Sequence, residues 1–287
     1  GDYSSVLGGV YNGILTGAVW SVIAGGADNL IDTNLQGSFI GAGTKNRIRT
    51  ANFPPSSVGY SAIVGGTNNL IDGISRGSFI GAGEGNTLKG TNSIIVGGKD
   101  NIIQDTNSSG NVIVGGESHI LGTAATTRSS YVFIGGGLNH QIDATSDYTV
   151  IVGGRDHLIG DGGSNSFIGG GAFNTINTLG GIKFGSILSG ERNTCDSSYG
   201  FIIGSSNKVG PNGLFCGAIG ISVTNDVSNT LLIGFAERTG KTRIYGATNA
   251  TVGGLIIGTS TLVASAGAAE TNLINVTVPA PTLTNSQ

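Results

Sequence analysis

One sequence motif, S-x-I-x-G-G-x-x-N-x-I, recurs along most of the 287 residues and constrains the fold more than any other feature. The glycine that ends the Gly-Gly or Gly-Ala-Gly part of each copy is taken as its anchor. Five of the eleven anchor-to-anchor spacings are 17 residues, and the longer ones fit loop insertions in a common frame. A fixed period of this length indicates a stacked repeat architecture. The anchors are Gly9, Gly26, Gly43, Gly66, Gly83, Gly98, Gly116, Gly137, Gly154, Gly171, Gly190 and Gly204.

Two aliphatic positions accompany each anchor. The position three residues before it holds Val6, Ile23, Ile40, Ile63, Ile80, Ile95, Ile113, Ile134, Ile151, Ile168, Ile187 and Phe201. The position five residues after it holds Ile14, Ile31, Ile48, Ile71, Leu88, Ile103, Leu121, Ile142, Ile159, Ile176, Cys195 and Val209. Short β-branched runs between glycine corners favour strands, so each repeat is predicted to be one rung of a parallel β-solenoid. Twelve rungs would form a rod of about 58 Å. Cys195 is expected to be a small buried hydrophobe.

A third position, three residues after the anchor, holds Asn or His in every repeat. Its members are Asn12, Asn29, Asn46, Asn69, Asn86, Asn101, His119, His140, His157, Asn174, Asn193 and Asn207, which include every histidine of the chain. Asn and His are both enriched at positive φ, so we expect a left-handed corner and a ladder of stacked side chains. Three histidines on consecutive rungs also allow a metal-site interpretation. The corner explains both residue types, and neither a metal ligand nor a cofactor is predicted.

The residues four and two before the anchor share the strand face opposite to the isoleucine. A large residue in one position is matched by glycine in the other, as in Phe39 with Gly41. Two medium residues replace that pair elsewhere, as in Val22 with Ala24. Conserved volume indicates close packing, whereas a lone solenoid needs only one apolar face. We therefore expect a homo-oligomer; the alternative is a monomer whose rungs fold over themselves in two layers.

Composition excludes several classes of protein. Charged residues make up 11 %, the formal net charge is −3, and the 14 Lys and Arg are scattered, which argues against nucleic-acid binding. No apolar run approaches the roughly 18 residues of a membrane helix, so no membrane insertion is expected. The chain begins with Gly1 and shows no charged leader, so no targeting peptide is predicted.

The positions just after the anchor are often charged and are expected to form the solvent-facing turn. Glu84, Lys99 and Glu117 would be stacked neighbours of alternating charge, which stabilises an exposed ladder. The two glutamates, two rungs or roughly 9.6 Å apart, also come close to the roughly 6.5–9.5 Å that separates the carboxyls of an inverting glycosidase. Lys99 lies between them, so the sequence favours the solvated ladder, and no catalytic residue is predicted.

Two enlarged rungs supply candidate contact residues for a receptor. The segment 51–60 contains Pro54 and Pro55 and is expected to leave the rod as a loop, because proline cannot donate to a ladder. The other insertion spans 122–131. The candidates are Phe53, Tyr60, Arg128 and Tyr131, with packing within the loops as the alternative role. Beyond Val209 the register is lost, so the array is placed at 1–209 and a C-terminal β cap or tip at 210–287.

The repeated motif resembles the head repeats of the YadA-like trimeric autotransporter adhesins and the glycine-rich repeats of phage and large-virus tail fibres. The resemblance covers roughly residues 4–209. It implies a homotrimer, located outside the cell on a cell surface or a virion, that attaches to a host cell-surface glycan or protein receptor. The sequence departs from the adhesins in its period, nearer 17, and in lacking a heptad stalk and membrane-anchor strands. The hypothesis is a non-catalytic adhesive fibre; the alternatives are a glycan-degrading trimeric tailspike and a purely architectural filament subunit.

Overall fold

The structure, a computed structural model, describes residues 2–49, 59–73, 75–104, 108–122, 129–177, 184–211 and 214–235. Its regular elements are 27 short β-strands in two sheets, and there is no α-helix in these ranges. Sheet A contains β1 (Ser5–Val6), β3 (Val22–Ile23), β5 (Phe39–Ile40), β7 (Ala62–Ile63), β9 (Phe79–Ile80), β11 (Ile94–Ile95), β13 (Val112–Ile113), β15 (Phe133–Ile134), β17 (Val150–Ile151), β19 (Phe167–Ile168), β21 (Ser186–Ser189), β23 (Phe201–Ser205), β25 (Gly217–Ile221) and β27 (Leu231–Phe235). Sheet B contains β2 (Gly13–Ile14), β4 (Leu30–Ile31), β6 (Arg47–Ile48), β8 (Leu70–Ile71), β10 (Thr87–Leu88), β12 (Ile102–Ile103), β14 (Ile120–Leu121), β16 (Gln141–Ile142), β18 (Leu158–Ile159), β20 (Thr175–Ile176), β22 (Thr194–Cys195), β24 (Lys208–Val209) and β26 (Thr224–Asn225).

Successive strands alternate between the two sheets, so each rung gives one strand to each. Every strand pairs in parallel with the equivalent strand of the next rung; Ile40 pairs with Ile63 in sheet A, for example, and Ile48 with Ile71 in sheet B. The predicted all-β parallel solenoid is thereby confirmed, with about 12 turns about 17 residues apart.

Two columns of isoleucine fill the space between the sheets. Ile40 of sheet A and Ile48 of sheet B are buried, as are their equivalents from Ile23 to Val209, whereas Val6 and Ile14 of the first rung are only partly covered. Burying one such side chain stabilises a fold by about 1.5–3 kcal/mol, but a single rung has nothing to bury it against. Stacking of rungs therefore creates the core, and Cys195 continues the sheet B column as predicted.

The anchor glycines form the corner between the sheets. Gly66 has a φ of +88°, and a Cβ atom added there would collide with the carbonyl oxygen of Gly83 in the next rung. Only glycine combines that conformation with so close an approach of two backbones, which explains why the anchor never varies.

The glycine two residues after a phenylalanine also has a steric cause. A Cβ on Gly41 would collide with the carbonyl oxygen of Val64 in the next rung, and it would also stand 3.3 Å from the Cε1 atom of the Phe39 ring, which lies over Gly41. Phe133 and Gly135 repeat this arrangement at 3.3 Å. The volume pairing seen in the sequence is thus contact between a ring and a bare backbone on the outer face of sheet A.

One assigned position is corrected by the strand register. Ile202, not Phe201, pairs with Ile187 and is fully buried in the sheet A column. At the register shift between Ile187 and Ser189, the rung of Ile202 is one residue shorter: Ile202 lies two residues before Gly204, whereas Ile187 lies three before Gly190. A count of three back from Gly204 therefore falls one residue early. Phe201 instead lies in the outer-face position beside Ser186.

The array extends beyond residue 209, where the sequence analysis ended it. Strand β25 pairs with β23, β26 with β24, and β27 with β25, so rungs continue to Phe235. Small and β-branched substitutes hide the pattern there: Ala218 stands in the isoleucine column, and Val223 follows Asn207 in the Asn position. The region assigned to a cap narrows to 236–287, which lies outside the described residues.

Candidate binding surfaces

The predicted Asn and His residues form one column inside the corner. The Oδ1 atom of Asn29 accepts the backbone N–H of Asn46 at 3.0 Å, and its Nδ2 atom donates to the carbonyls of Gly25 and Gly43 at 3.1 and 2.9 Å. Each amide therefore links its own rung to the next one. Positive φ falls instead on the preceding residue, such as Lys45 at +56°, so the left-handed position expected for Asn and His is wrong. Asn is required because it satisfies buried backbone groups.

The three histidines reproduce half of this bonding. The His119 and His140 rings stack at 4.7 Å between centroids, and those of His140 and His157 at 4.8 Å. The Nδ1 atom of His119 accepts the backbone N–H of His140 at 3.1 Å, but the Nε2 atoms of all three are buried without a hydrogen bond. A single N–H cannot replace the two donors of an Asn amide.

Burial sets the protonation of this column. It lowers the pKa of His119 to about 4, although the nearby Gly115 carbonyl favours the charged form. Burial, together with repulsion from the two neighbouring histidines, lowers the pKa of His140 to about 3. The pKa of His157 is lowered as well, chiefly by burial. The stacked rings are thus neutral near pH 7, and no cluster of three metal-ligating side chains occurs in the described part of the chain.

The charged ladder lies where the sequence placed it. The backbones of Glu84 and Lys99, and of Lys99 and Glu117, pair as parallel β-bridges, and all three side chains are exposed on consecutive rungs. The two carboxylates of the glycosidase alternative therefore stand on a solvated ridge with a lysine between them.

The four receptor-contact candidates divide into two groups. Phe53 and Arg128 lie outside the described residues. Tyr60 and Tyr131 are brought together with residues that the sequence analysis did not single out, in a column along one edge of the rod. The column takes one residue from each rung, at the corner that leads into sheet A, and we call it the aromatic edge. Its members are Tyr3, Trp20, Gly37, Tyr60, Gly77, Asn92, Gly110, Tyr131, Tyr148, Asn165, Phe184, Tyr199, Phe215 and Asn229.

All members of the aromatic edge have a φ between +47° and +72°. Eight of them are aromatic, and these eight side chains are 45–83 % exposed. Adjacent rings stack nearly parallel: Tyr131 on Tyr148 at 5.2 Å, and Tyr199 on Phe184 and Phe215 at 5.0 and 4.5 Å. The edge is therefore a discontinuous ladder of exposed rings with gaps at the Gly and Asn rungs.

The sequence contained a signal for this edge. The position six residues before the anchor holds five aromatic residues between Tyr3 and Tyr148, and Phe184 follows the same rule. Five of the seven tyrosines and the only tryptophan fall in the column. Glycine and asparagine in the remaining rungs interrupt the pattern, and the register shift after Ile187 moves Tyr199 and Phe215 to five residues before their glycines.

The opposite corner, between sheets A and B, has the same backbone but different side chains. Its positive-φ residues, which we call the polar edge, include only two aromatic residues, Tyr11 and Phe173. The members are Tyr11, Asp28, Lys45, Asn68, Gly85, Asp100, Ser118, Asn139, Asp156, Phe173, Arg192, Ser206 and Ser222. The Phe173 ring lies beneath two guanidinium groups, with the Arg155 Cζ atom 5.1 Å and the Arg192 Cζ atom 5.4 Å from its centroid.

The outer faces of the two sheets differ in charge. No outward-facing position of sheet A carries a charged residue, and several apolar ones there, such as Val96 and Val152, are 47–48 % exposed. The outer face of sheet B carries charges in most rungs. Two ion pairs between rungs lie on it, Arg49–Asp72 at 2.9 Å and Lys208–Asp196 at 3.4 Å.

Two further observations bear on function. Cys195 and Cys216 are free and buried, and burial raises the pKa of the Cys195 thiol to about 11, so this thiol is not a nucleophile near neutral pH. In the ranges that the structure describes, no helix has the length and hydropathy needed to cross a bilayer.

No protein-family model matches the chain, and no curated protein matches it either.

Proposed function

We propose that this chain is a non-catalytic structural and adhesive fibre protein. It forms a rigid β-rod, packs side by side with copies of itself, and presents a binding surface to a host cell or another surface. The number of copies, three, and the setting, on a cell surface or a virion, follow from the resemblance to adhesin heads and tail fibres. The receptor is a cell-surface glycan or protein.

The uncharged outer face of sheet A is the observation that supports this proposal. It runs along every described rung, and its half-exposed valines are interleaved with Phe–Gly pairs of matched volume, as at Phe133 and Gly135. Contiguous apolar surface of this length is rare on monomeric proteins and is typical of an interface. Depletion of charge at the centre of the patch is the compositional mark of such interfaces.

The mass of the particle in solution tests the proposal. Light scattering on purified full-length chain is expected to give a closed oligomer, three chains by the resemblance, at all concentrations above its dissociation constant. Introducing two lysines on sheet A, Val96→Lys with Val152→Lys, should yield single folded chains, because a buried unpaired ammonium is strongly unfavourable.

The matched control places the same two charges on the outer face of sheet B, as Thr87→Lys with Thr175→Lys. It should retain the mass of the parent. A parent that is a single chain would refute the packing proposal, and a mass that grows without limit with concentration would indicate the filament subunit. Release of oligosaccharide from host capsule or lipopolysaccharide would contradict the non-catalytic assignment.

A further inference from the structure

We propose that the aromatic edge is a binding site for an extended, uncharged polysaccharide. The inference rests on the proposed function in that the rod is taken to present a binding surface. It goes further in assigning that surface to one edge of the rod and the ligand to one chemical class.

The rings occupy a backbone conformation that does not favour them. A bulky residue with a φ near +60° is an outlier, whereas Gly and Asn adopt this conformation at little cost. Other rungs use Gly37, Gly77 and Asn92 at the same position, so the fold itself does not need a ring there. Tyr131 and Tyr148 remain more than half exposed, so little apolar burial offsets the backbone strain. Stacking between neighbouring rings, as of Tyr131 on Tyr148, offsets only part of this strain, and the remainder points to a functional role.

The charges beside the rings do not favour a polyanion. Nonspecific binding of single-stranded nucleic acid combines stacking aromatic residues with a basic groove that follows the phosphates. Among the residues that directly precede the edge positions, two are basic, Arg76 and Lys183, and two are acidic, Asp2 and Asp147; Lys183 lies outside the described residues. The residues that precede the edge positions are Asp2, Val19, Gln36, Gly59, Arg76, Thr91, Ser109, Ser130, Asp147, Ser164, Lys183, Ser198, Leu214 and Ser228.

Neutral sugars suit this surface. A pyranose ring presents an apolar face of C–H bonds that packs on aromatic rings, and its hydroxyl groups pair with small polar side chains. Polar residues that precede edge positions and are not buried include Gln36, Ser109 and Ser198. Tyrosine and tryptophan combine a large apolar surface with a polar atom, which makes them effective in half-wet interfaces.

The spacing of the rings favours a long ligand over a single sugar. Tyr131, Tyr148, Phe184, Tyr199 and Phe215 are five rings within six consecutive rungs, a length of about 24 Å at the spacing of β-strands. Neighbouring rings are 4.5–5.2 Å apart, comparable with the length of one pyranose residue along a chain. The Tyr131 ring lies over Gly110, where no side chain blocks access to the end of this group. A linear glycan lying along the edge would therefore contact successive rings with successive sugars.

The test uses three substitutions that other rungs already contain. In the full-length chain, Tyr131, Tyr148 and Tyr199 are each replaced by Asn, the residue present at Asn92, Asn165 and Asn229. Because Asn tolerates positive φ, the variant should fold and keep the oligomer mass of the parent. The control, Tyr11→Asn with Phe173→Asn, removes two exposed rings from the polar edge.

Affinity electrophoresis in gels containing dextran, a linear β-glucan, a galactomannan or chitin oligomers is the readout. At least one of these should retard the parent and the control, with the triple variant at least about tenfold weaker. Quenching of Trp20, the only tryptophan and itself part of the edge, supplies a second signal with the same probe.

Three results would overturn the inference. They are failure of every polysaccharide to bind the parent, equal binding by the triple variant, and retardation by polyuridylate instead. Loss of oligomer mass in the triple variant would assign the edge to contact between copies of the chain and would equally refute the glycan site. The proposed fibre is judged separately by the mass of the parent, so either proposal can fail alone.

Discussion

The outer faces of sheets A and B differ far more than their inner faces. Inside, both sheets contribute the same fully buried isoleucine column, represented in one rung by Ile95 and Ile103. Outside, sheet A has no charged residue in any described rung, whereas sheet B has ion pairs between rungs such as Arg49–Asp72. Folding of one chain requires only the inner columns, and the proposed packing of copies through sheet A, with sheet B left to solvent, would account for the outer difference.

The aromatic edge and the polar edge differ in the same way: their backbones are alike and their side chains are not. Both have positive φ in every rung, and on that basis alone Gly, Asn or Asp would serve equally well at either edge. The polar edge follows that preference at six of its 13 positions and departs from it mostly with Ser, Lys and Arg, whereas all eight departures at the aromatic edge are aromatic. Two positions with one backbone requirement therefore carry different side chains, and the proposed glycan site would account for the aromatic ones.

The frame shared by both sheets depends on the anchor glycine, and breaking it should have the largest effect. Gly66→Ala places a Cβ against the Gly83 carbonyl at a φ of +88°, and we expect a loss of more than about 4 kcal/mol or no folded protein. Gly65→Ala is the control, since a Cβ there has no atom within 4 Å and Ala42 and Ala82 already occupy this position. Urea denaturation followed by circular dichroism measures both; equal midpoints would show that the corner does not hold the sheets together.

The second largest effect is expected from acid, which should lower the free energy of unfolding through the three histidines of the corner. Because their pKa values are lower in the folded chain than the unfolded value of about 6.5, the unfolded chain binds more protons, and stability falls as pH drops from about 6.5 towards about 4. For His119 alone the loss is on the order of 3 kcal/mol, and the nearby Asp156 carboxylate eases it slightly at His140 and His157.

The matched variant replaces His119, His140 and His157 with Asn, the residue of the other rungs. It should lose less stability than the parent between pH 7 and pH 4, and it should gain at pH 7 because each amide can donate to two glycine carbonyls. Urea midpoints measured at both pH values give the comparison. Identical pH dependence in the two proteins would show that surface carboxylates, not this column, govern acid sensitivity.

The equivalence of the inner faces is tested within one rung. Ile95→Ala in sheet A and Ile103→Ala in sheet B each remove a fully buried side chain, and each should cost about 2–5 kcal/mol through lost burial and the cavity left behind. The two urea midpoints should agree closely. A much smaller loss for one sheet would mean that its column can collapse around the gap, and the inner faces would then not be equivalent.

Much of this organisation could be predicted from the sequence, because stacked rungs give each position the same surroundings. The isoleucine positions, the Asn and His column and the Glu84–Lys99–Glu117 ladder were all readable from their distance to the anchor. Counting failed where a rung changes length: the strand of Ile202 has one residue fewer before Gly204, so Phe201 was predicted in the place that Ile202 occupies.

Other features could not be predicted, for physical reasons. The Asn position was identified correctly but for the wrong cause, since hydrogen bonds between rungs, such as Asn29 to Asn46, are not visible in spacing alone. The rungs after 209 were missed because Ala218 and Val223 satisfy the packing without the usual residues. The aromatic edge was hidden because any residue that tolerates positive φ fits there.

The smallest effect concerns the outer faces themselves. If sheet A packs against other copies, the urea midpoint of the parent should rise with protein concentration, by about 1 kcal/mol in unfolding free energy for each tenfold increase. The sheet B variant, Thr87→Lys with Thr175→Lys, should behave in the same way. In the sheet A variant, Val96→Lys with Val152→Lys, the midpoint should not depend on concentration, because nothing is left to associate. Concentration-independent midpoints in all three proteins would favour the monomer folded in two layers, in which the apolar face of sheet A is covered within one chain.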